Sequence, residues 1–405
     1  MEKHLATGLD EALKQIVKQV FPLDTETIDL SDSVDRVAAG IMFAKIDSPS
    51  VHASLKDGYA VVSRDVAEAT PNNPVRLRLT GCATAGDERD PRVTSGTTVQ
   101  VLTGAKIPAG ADAVVSSEFA MPETEHVRFV NHAEAGRNIL PRGADVTAGT
   151  SLVAPGSRLS PGMVGLLAAA GHSRVKVFHS PTVGIVATGD EIVAPGLPLP
   201  EGKLYASNIT ALGAWCRRFK MDVRMAVIRD DPEEILHTLT TMSGYADAII
   251  TSGGAWTSDR DLVARILSKM GWEQVFHRIR IGPGKAVGFG MLSGKPVFIL
   301  PGGPPSNLMA FLQIALPGLM RLAGSRRPGL PETMVRLDSE LTGSHSDWTQ
   351  FIFGTIETKQ DLPVFHSLRN ESRLRSMAEA QAIVCIPEGR TILSAGSVVP
   401  AQIIS

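Results

Sequence analysis

The stretch ADAIITSGGAWTSDRD, residues 246–261, decides how this chain is read. Its AIIT core is a short apolar, β-branched run suited to a buried strand. Two glycines and a tryptophan follow, then Asp259 and Asp261 where a helical pattern begins. A strand that runs into a glycine loop and then a helix is one half of a βαβ unit. The same rhythm recurs on both sides. TVGIVA (182–187), RMAVI (224–228) and VFIL (297–300) read as strands; SNITALGAWCRRFK (207–220), DDPEEILHTL (230–239) and the run through Leu262, Val263, Ile266, Leu267 and Met270 read as helices. Ser207 or Asn208 is expected to cap the first helix, an aspartate with Pro232 to open the second, and Gly271 to stop the third. This alternation predicts a mainly parallel sheet with helices on both faces, a three-layer α/β domain.

The flanks have a different texture. Leu9, Leu13, Ile16, Val17 and Val20 recur at helical spacing, and LSPGMVGLLAAAGH (159–172) reads as a short helix between Pro161 and Gly171. From about Ile41 to Val153 short apolar runs alternate with Gly, Pro, Asn and Asp, which is a β-rich pattern, and after about Gly324 the runs WTQFIFGTI, AIVCI and SVVPAQII imply a small all-β tail. The 405 residues are 43% hydrophobic and 20% charged, with a net charge of −2 and no long block of one sign. That gives no electrostatic reason to expect nucleic acid or an anionic membrane as partner. Cys82, Cys216 and Cys385 are sparse and form no CxxC, which suits a reducing cytoplasm, and neither a signal peptide nor a membrane span is legible.

In an open parallel sheet, ligands bind outside the carboxyl ends of the strands. Four such ends are legible: ATGDE (187–191), RDD (229–231), TSGGAWTSDRD (251–261) and LPGGPPSN (300–307). Gly253 and Gly254 would let a ligand lie against bare backbone, and the helix after them would offer free N–H groups to a phosphate. Asp190, Glu191, Asp247 and Asp261 are expected to place carboxylates on the same edge, acting through Mg²⁺ or on ring N–H groups of a ligand. No GxxxxGK[ST], GxSxG or HExxH occurs, and GPGKAVGFG (282–290) is not GxGxxG, so neither a P-loop enzyme nor a standard dinucleotide fold is indicated.

Taken in order, these loops resemble the MoeA/gephyrin E-domain family, the molybdopterin molybdenumtransferases. The resemblance rests on DGYAV (57–61), LTGAKIPAGADAVVSSE (102–118), GRNILPRGADVTAG (136–149), ATGDEI (187–192), SNI (207–209), IRDDP (228–232), ADAIITSGG (246–254) and LPGGPPS (300–306). It implies an α/β and β multidomain chain: a helical and linker part at 1–50 with 140–180, a β-rich inserted domain at 51–139, the molybdopterin-binding α/β domain at 181–327 and a C-terminal β-barrel at 328–405. It further implies a homodimer that takes adenylated molybdopterin and molybdate or tungstate, releases AMP and leaves the metal on the pterin dithiolene. Mg²⁺ would be required, and an apo-molybdoenzyme or a MogA-type adenylyltransferase would be the protein partner.

Residue by residue, the resemblance makes Asp57, Thr103, Asp145, Glu191, Asp247, Asp261 and Lys285 the catalytic candidates, with Asp247 and Asp261 as metal ligands. Thr188, Gly189, Asp190, Ser252, Gly253, Gly254, Pro301, Gly302, Pro304, Ser306 and Ser372 would line the cofactor site. Four departures stand out. Trp256 and Ser258 interrupt a loop that is small and polar in the family; Gly282 and Ala286 flank Lys285 where a lysine and a proline are usual; Phe353 takes an arginine position; and Gly303 takes an asparagine position. Lost cations weaken an oxyanion site, and LRNESRLR (368–375), with Arg369, Arg373 and Arg375, is the candidate source of replacements. The departures leave a second expectation open: a weakened paralogue that carries the cofactor or scaffolds its delivery.

Overall fold

The computed structural model describes residues 7–89, 91–253, 262–358, 362–368 and 373–405. Its centre is a six-stranded sheet made of β1 (Thr182–Thr188), β2 (Asp222–Ile228), β3 (Ala248–Ser252), β4 (Glu273–His277), β5 (Gly288–Leu292) and β6 (Lys295–Leu300), in the order β2-β1-β3-β6-β5-β4. The first four in that order run parallel, and β5 and β4 complete the sheet antiparallel. Two cores cover its faces. On one side Ile235, Leu239, Val263, Ile266 and Leu267 of the helices Pro232–Tyr245 and Leu262–Lys269 are buried; on the other, Ile209, Leu212 and Cys216 of the helix Ser207–Arg218 pack with the helical run from Pro304 to Leu322 and with Ala12 and Ile16 of the helix Leu9–Gln19. The three-layer expectation is met. None of the described helices is long and apolar enough to cross a membrane.

Local signals act mostly as expected, with one correction. Asp231 accepts hydrogen bonds from the N–H groups of Glu233 and Glu234 at 3.0 and 2.9 Å, with Pro232 opening the helix. Ser160 caps the helix Pro161–Ala169 through the Met163 N–H. The expected cap at Ser207 or Asn208 is absent: Ala206 holds the cap position without a side-chain bond, and Asn208 donates instead to the Gly302 carbonyl at 2.7 Å. A tertiary bond has taken the side chain that a local cap would have used.

The preceding β-rich stretch is a six-stranded sheet built from Gly58–Val61, Val75–Ala83, Thr97–Val101, Ala113–Ser116, Ala120–Pro122 and His126–Phe129. Short antiparallel pairs join Thr25–Asp29 to Arg174–Phe178 and Met42–Phe43 to Ser151–Val153. At the other end, Thr349–Glu357, Val364–Ser367, Glu332–Leu337, Val398–Ile403 and Ala382–Ile386 close into a five-stranded barrel, because Ala382–Ile386 pairs back onto Thr349–Glu357. One further pairing ties barrel to sheet. Ile281 and Gly282, just after β4, run parallel to Thr349 and Gln350.

At Gly354 the barrel leaves no room for a side chain, since a Cβ there would lie 2.3 Å from the Phe365 ring and 2.5 Å from the His366 carbonyl. Gly354→Ala is expected to destabilise the protein by about 1–3 kcal/mol through overpacking, read as a lower urea midpoint; an unchanged midpoint would show that the barrel yields at this point.

Candidate functional site

The four strand ends picked out from the sequence are neighbours. Thr188 is in register with Ile228, Ala187 with Ser252, and Ser252 with Leu300, so their loops leave the sheet side by side along one edge. Gly253 turns sharply here with φ +104, and a Cβ would sit 2.6 Å from the Thr188 carbonyl, so only glycine fits this turn. Its N–H donates to the Leu300 carbonyl at 3.1 Å. Buried Asn307 fastens the neighbouring loop, donating to Ser252 Oγ at 3.0 Å and to the Pro301 carbonyl at 2.8 Å. Pro304 opens the helix that carries Ser306 and Asn307. Thr188, Gly189, Ser252, Gly253, Pro301, Gly302, Pro304 and Ser306 therefore share one edge.

Asp190 and Glu191 extend the edge beyond β1, where the Asp230 N–H reaches Asp190 Oδ1 at 3.4 Å. Partial desolvation, together with the Asp190 and Glu191 charges, raises the Asp230 carboxyl above its ordinary range. Asp230 was not among the expected site residues, although it lies inside a quoted loop.

Asp247 is a correction. It precedes β3 rather than following it, and its Oδ2 accepts the Thr182 N–H at 2.8 Å while its own N–H donates to the Thr182 carbonyl. It therefore braces the starts of two strands, about 16 Å along the strand from Ser252 at ~3.3 Å per residue. It cannot join the carboxylates at the other edge. Gly254, Trp256, Ser258 and Asp261 lie outside the described residues, as do Arg369 and Ser372. Among the described residues no group of three or more His, Cys, Asp or Glu side chains is placed to hold a metal ion, and Asp261, the other member of the expected Mg²⁺ pair, lies outside them.

Beyond Ser306 a cavity of about 750 Å³ opens between the sheet domain and the barrel. One wall is Ile281 to Lys285, another is Thr342 to His345 with Trp348, and Phe351, Phe353, Arg373 and Ser376 close the remainder. The described lining contains two cations, Lys285 and Arg373, an imidazole, several hydroxyls and no carboxylate. Such a lining suits an anion. Gly282 and Phe353, two of the departures, both face this space, whereas Arg375 is engaged with Glu379 at 2.7 Å. Gln350, buried in the barrel wall, accepts the Ser344 N–H at 2.7 Å and donates to the His345 carbonyl at 2.8 Å, fixing the loop that bears His345 and Trp348. His345, Trp348 and Gln350 carried no sequence signal, because their role exists only once the barrel meets the Ile281–Lys285 loop.

Asp57 and Thr103 meet each other but not this edge. Thr103 donates its hydroxyl and its N–H to Asp57 Oδ1, each at 2.7 Å, and these bonds hold the Asp57 carboxyl below its usual range. Asp57 precedes the strand Gly58–Val61 and Thr103 follows Thr97–Val101 of the separate N-terminal sheet, and exposed Asp145 donates its N–H to the Ser48 carbonyl.

Fold and site together define a multidomain α/β protein whose ligand edge is continued by an anion-suited cavity under a β-barrel. Comparison with known proteins is specific. The chain matches the MoeA N-terminal region (domain I and II) over 7–171, the "Probable molybdopterin binding domain" over 184–321 and the MoeA C-terminal region (domain IV) over 336–404. It is 30% identical over 383 residues to a molybdopterin molybdenumtransferase of Nostoc, spanning 92% of this chain and 87% of that one. It is also 30% identical over 381 residues to molybdopterin molybdenumtransferase 2 of Mycobacterium tuberculosis, spanning 92% and 93%. The solved MoeA protein of Pyrococcus horikoshii OT3 superposes with a TM-score of 0.82 at 27% identity, over 98% of this chain and all of that one. The chain belongs to the MoeA family of molybdopterin molybdenumtransferases.

Two predictions follow from the charged groups. Asp247→Ala is expected to lower stability by about 1–2 kcal/mol through the orphaned Thr182 N–H while leaving ligand affinity intact, and Asp247→Asn to lose less; a loss of affinity without loss of stability would return Asp247 to the site. For Asp230, a raised carboxyl keeps its proton in the folded state over a window where the unfolded chain has released it. Stability then falls as pH rises through that window, which starts at the ordinary 3.8. Asp230→Asn should accordingly raise the melting temperature at pH 7 and leave it unchanged near pH 3, whereas an equal shift at both would refute the electrostatic origin.

Proposed function

We propose that the protein inserts molybdenum into molybdopterin: the strand edge holds an adenylated molybdopterin and the adjoining cavity admits molybdate. The observation that carries this reading is the cavity, whose described lining pairs Lys285 and Arg373 with hydroxyls and holds no carboxylate, and which opens beside the glycine-lined edge. Those cations attract the oxyanion, and the Ser306 hydroxyl is a neutral hydrogen-bond donor beside them. The bare backbone at Gly253 lets the pterin or phosphate end approach closely. Water cleaves the phosphoanhydride and AMP leaves, while the two dithiolene thiols replace an oxo ligand of molybdate, which departs as water. Tungstate has the same charge and shape class and is the competing substrate.

The working form in this reading is a homodimer in which Asp57 and Thr103 of one subunit face the strand edge of the other. Large apolar side chains standing exposed on the N-terminal part, Ile41, Phe43, Ile46 and Leu55, support it.

A second reading is favoured by one observation: Gly282 and Phe353 leave two neutral positions on the cavity wall. It makes the protein a carrier or maturation scaffold that binds the cofactor without cleaving the adenylate.

The test is AMP release from adenylated molybdopterin with and without molybdate. Molybdate-dependent release is expected, together with loss in Lys285→Ala and in Asp57→Ala. Equal mixing of those two inactive variants should restore about a quarter of the activity, as half the dimers are mixed and each then has one intact site. Tight ligand binding without release would support the carrier, and no recovery on mixing would overturn the shared site.

A further inference from the structure

Lys285 is an exposed residue on a flexible stem, yet its ammonium is not left to solvent. Its Nζ lies 5.6 Å from the centre of the Trp348 ring, inside the range where an ammonium is held by an aromatic face. The indole itself is well anchored. Thr349, the next residue, donates its N–H to the Arg280 carbonyl at 3.1 Å, and Arg280 in turn donates to the Asp347 carbonyl at 3.0 Å, so the backbone on both sides of Trp348 is tied to one arginine. The His345 ring lies 4.8 Å from the same indole. A Cβ at Gly282 would lie 3.6 Å from Trp348 Cε3, an ordinary van der Waals distance, so the indole packs alongside the backbone at 282.

We propose that Trp348 is the positioning residue for Lys285, an aromatic rest that holds the ammonium at the cavity wall until an oxyanion takes it. The role rests on the molybdate reading of the cavity but is a separate claim about it. A lysine stem has several rotatable bonds and loses much freedom when its head is fixed. The anchored indole removes part of that freedom before the anion arrives, and a charge-assisted hydrogen bond to an oxyanion is stronger than a cation–π contact, so the ammonium transfers when the anion binds. The indole, packed beside Gly282, thus steadies Lys285 at the cavity wall.

The experiment uses the full-length protein with its lysines reductively dimethylated with ¹³C, which preserves their charge, and molybdate as the probe. The Lys285 methyl signal, assigned by its disappearance in Lys285→Arg, is expected to be displaced by the indole ring current. It should return to the position of solvent-exposed lysines in Trp348→Leu and remain displaced in Trp348→Phe. Molybdate should move it in the unmodified protein. In turnover assays Trp348→Leu should raise the half-saturating molybdate about two- to five-fold, with the change falling there rather than on turnover at saturation. An undisplaced Lys285 signal in the unmodified protein overturns the proposal. A displaced signal that Trp348→Leu abolishes and molybdate leaves unmoved keeps the pairing but overturns the cavity as the oxyanion site, which separates the two failures. A general shift of many lysine signals in Trp348→Leu would mark a merely structural indole and also overturn the proposal.

Discussion

Two residues hold the site together. Ile281 and Gly282 leave the central sheet after its edge strand and pair in parallel with Thr349 and Gln350 of the barrel, the strand-to-strand link between the two bodies among the described residues. The cavity exists because of that pairing. It brings the Lys285 loop against the Trp348 loop, and Gln350 performs two tasks at once, its backbone in the barrel and its carboxamide fastening residues 344 and 345. Buried hydrogen bonds of this kind set shape more than they add stability, since a neutral pair contributes only about 1 kcal/mol but is costly to break in one half.

The ligand edge depends on a different constraint, the parallel order of β2, β1, β3 and β6. Right-handed crossovers send each loop out at the same end, so four segments far apart in sequence share one rim. Asn208 and Asn307 then cross-brace that rim: each donates to the loop after β6, one from the helix after β1 and one from the helix after β6 itself. Gly253 allows the close approach that makes the rim continuous.

Much of this was legible in the sequence because it is local or periodic. The alternation of β-branched runs with helical spacing gave the three-layer domain, the glycine and proline loops marked the ligand edge, and the resemblance added the closed barrel. The placing of Asp247 failed although the sequence held the signal: it stands before AIIT, on the amino side of a strand whose ligands lie at the carboxyl side. The helix cap expected at Ser207 or Asn208 failed because a tertiary partner, the Gly302 carbonyl, outcompeted the local one. His345 and Trp348 were beyond reach for another reason. Nothing in GSHSDW (343–348) marks it as part of a site until a loop about sixty residues earlier is laid beside it. The departures at Gly282 and Phe353 read as scattered losses in sequence, and in space they line one cavity.

The barrel's closure has a consequence for the order of events on the ribosome. The strand Val398–Ile403 pairs with both Glu332–Leu337 and Ala382–Ile386, so the barrel cannot shut until residue 403 has emerged. The strand edge is complete about a hundred residues earlier, when β6 and Asn307 are in place. A nascent chain thus passes through a stage that has the glycine-lined rim without the barrel wall of the cavity beside it. Synthesis itself imposes a sequence in which the rim matures first and the cavity last.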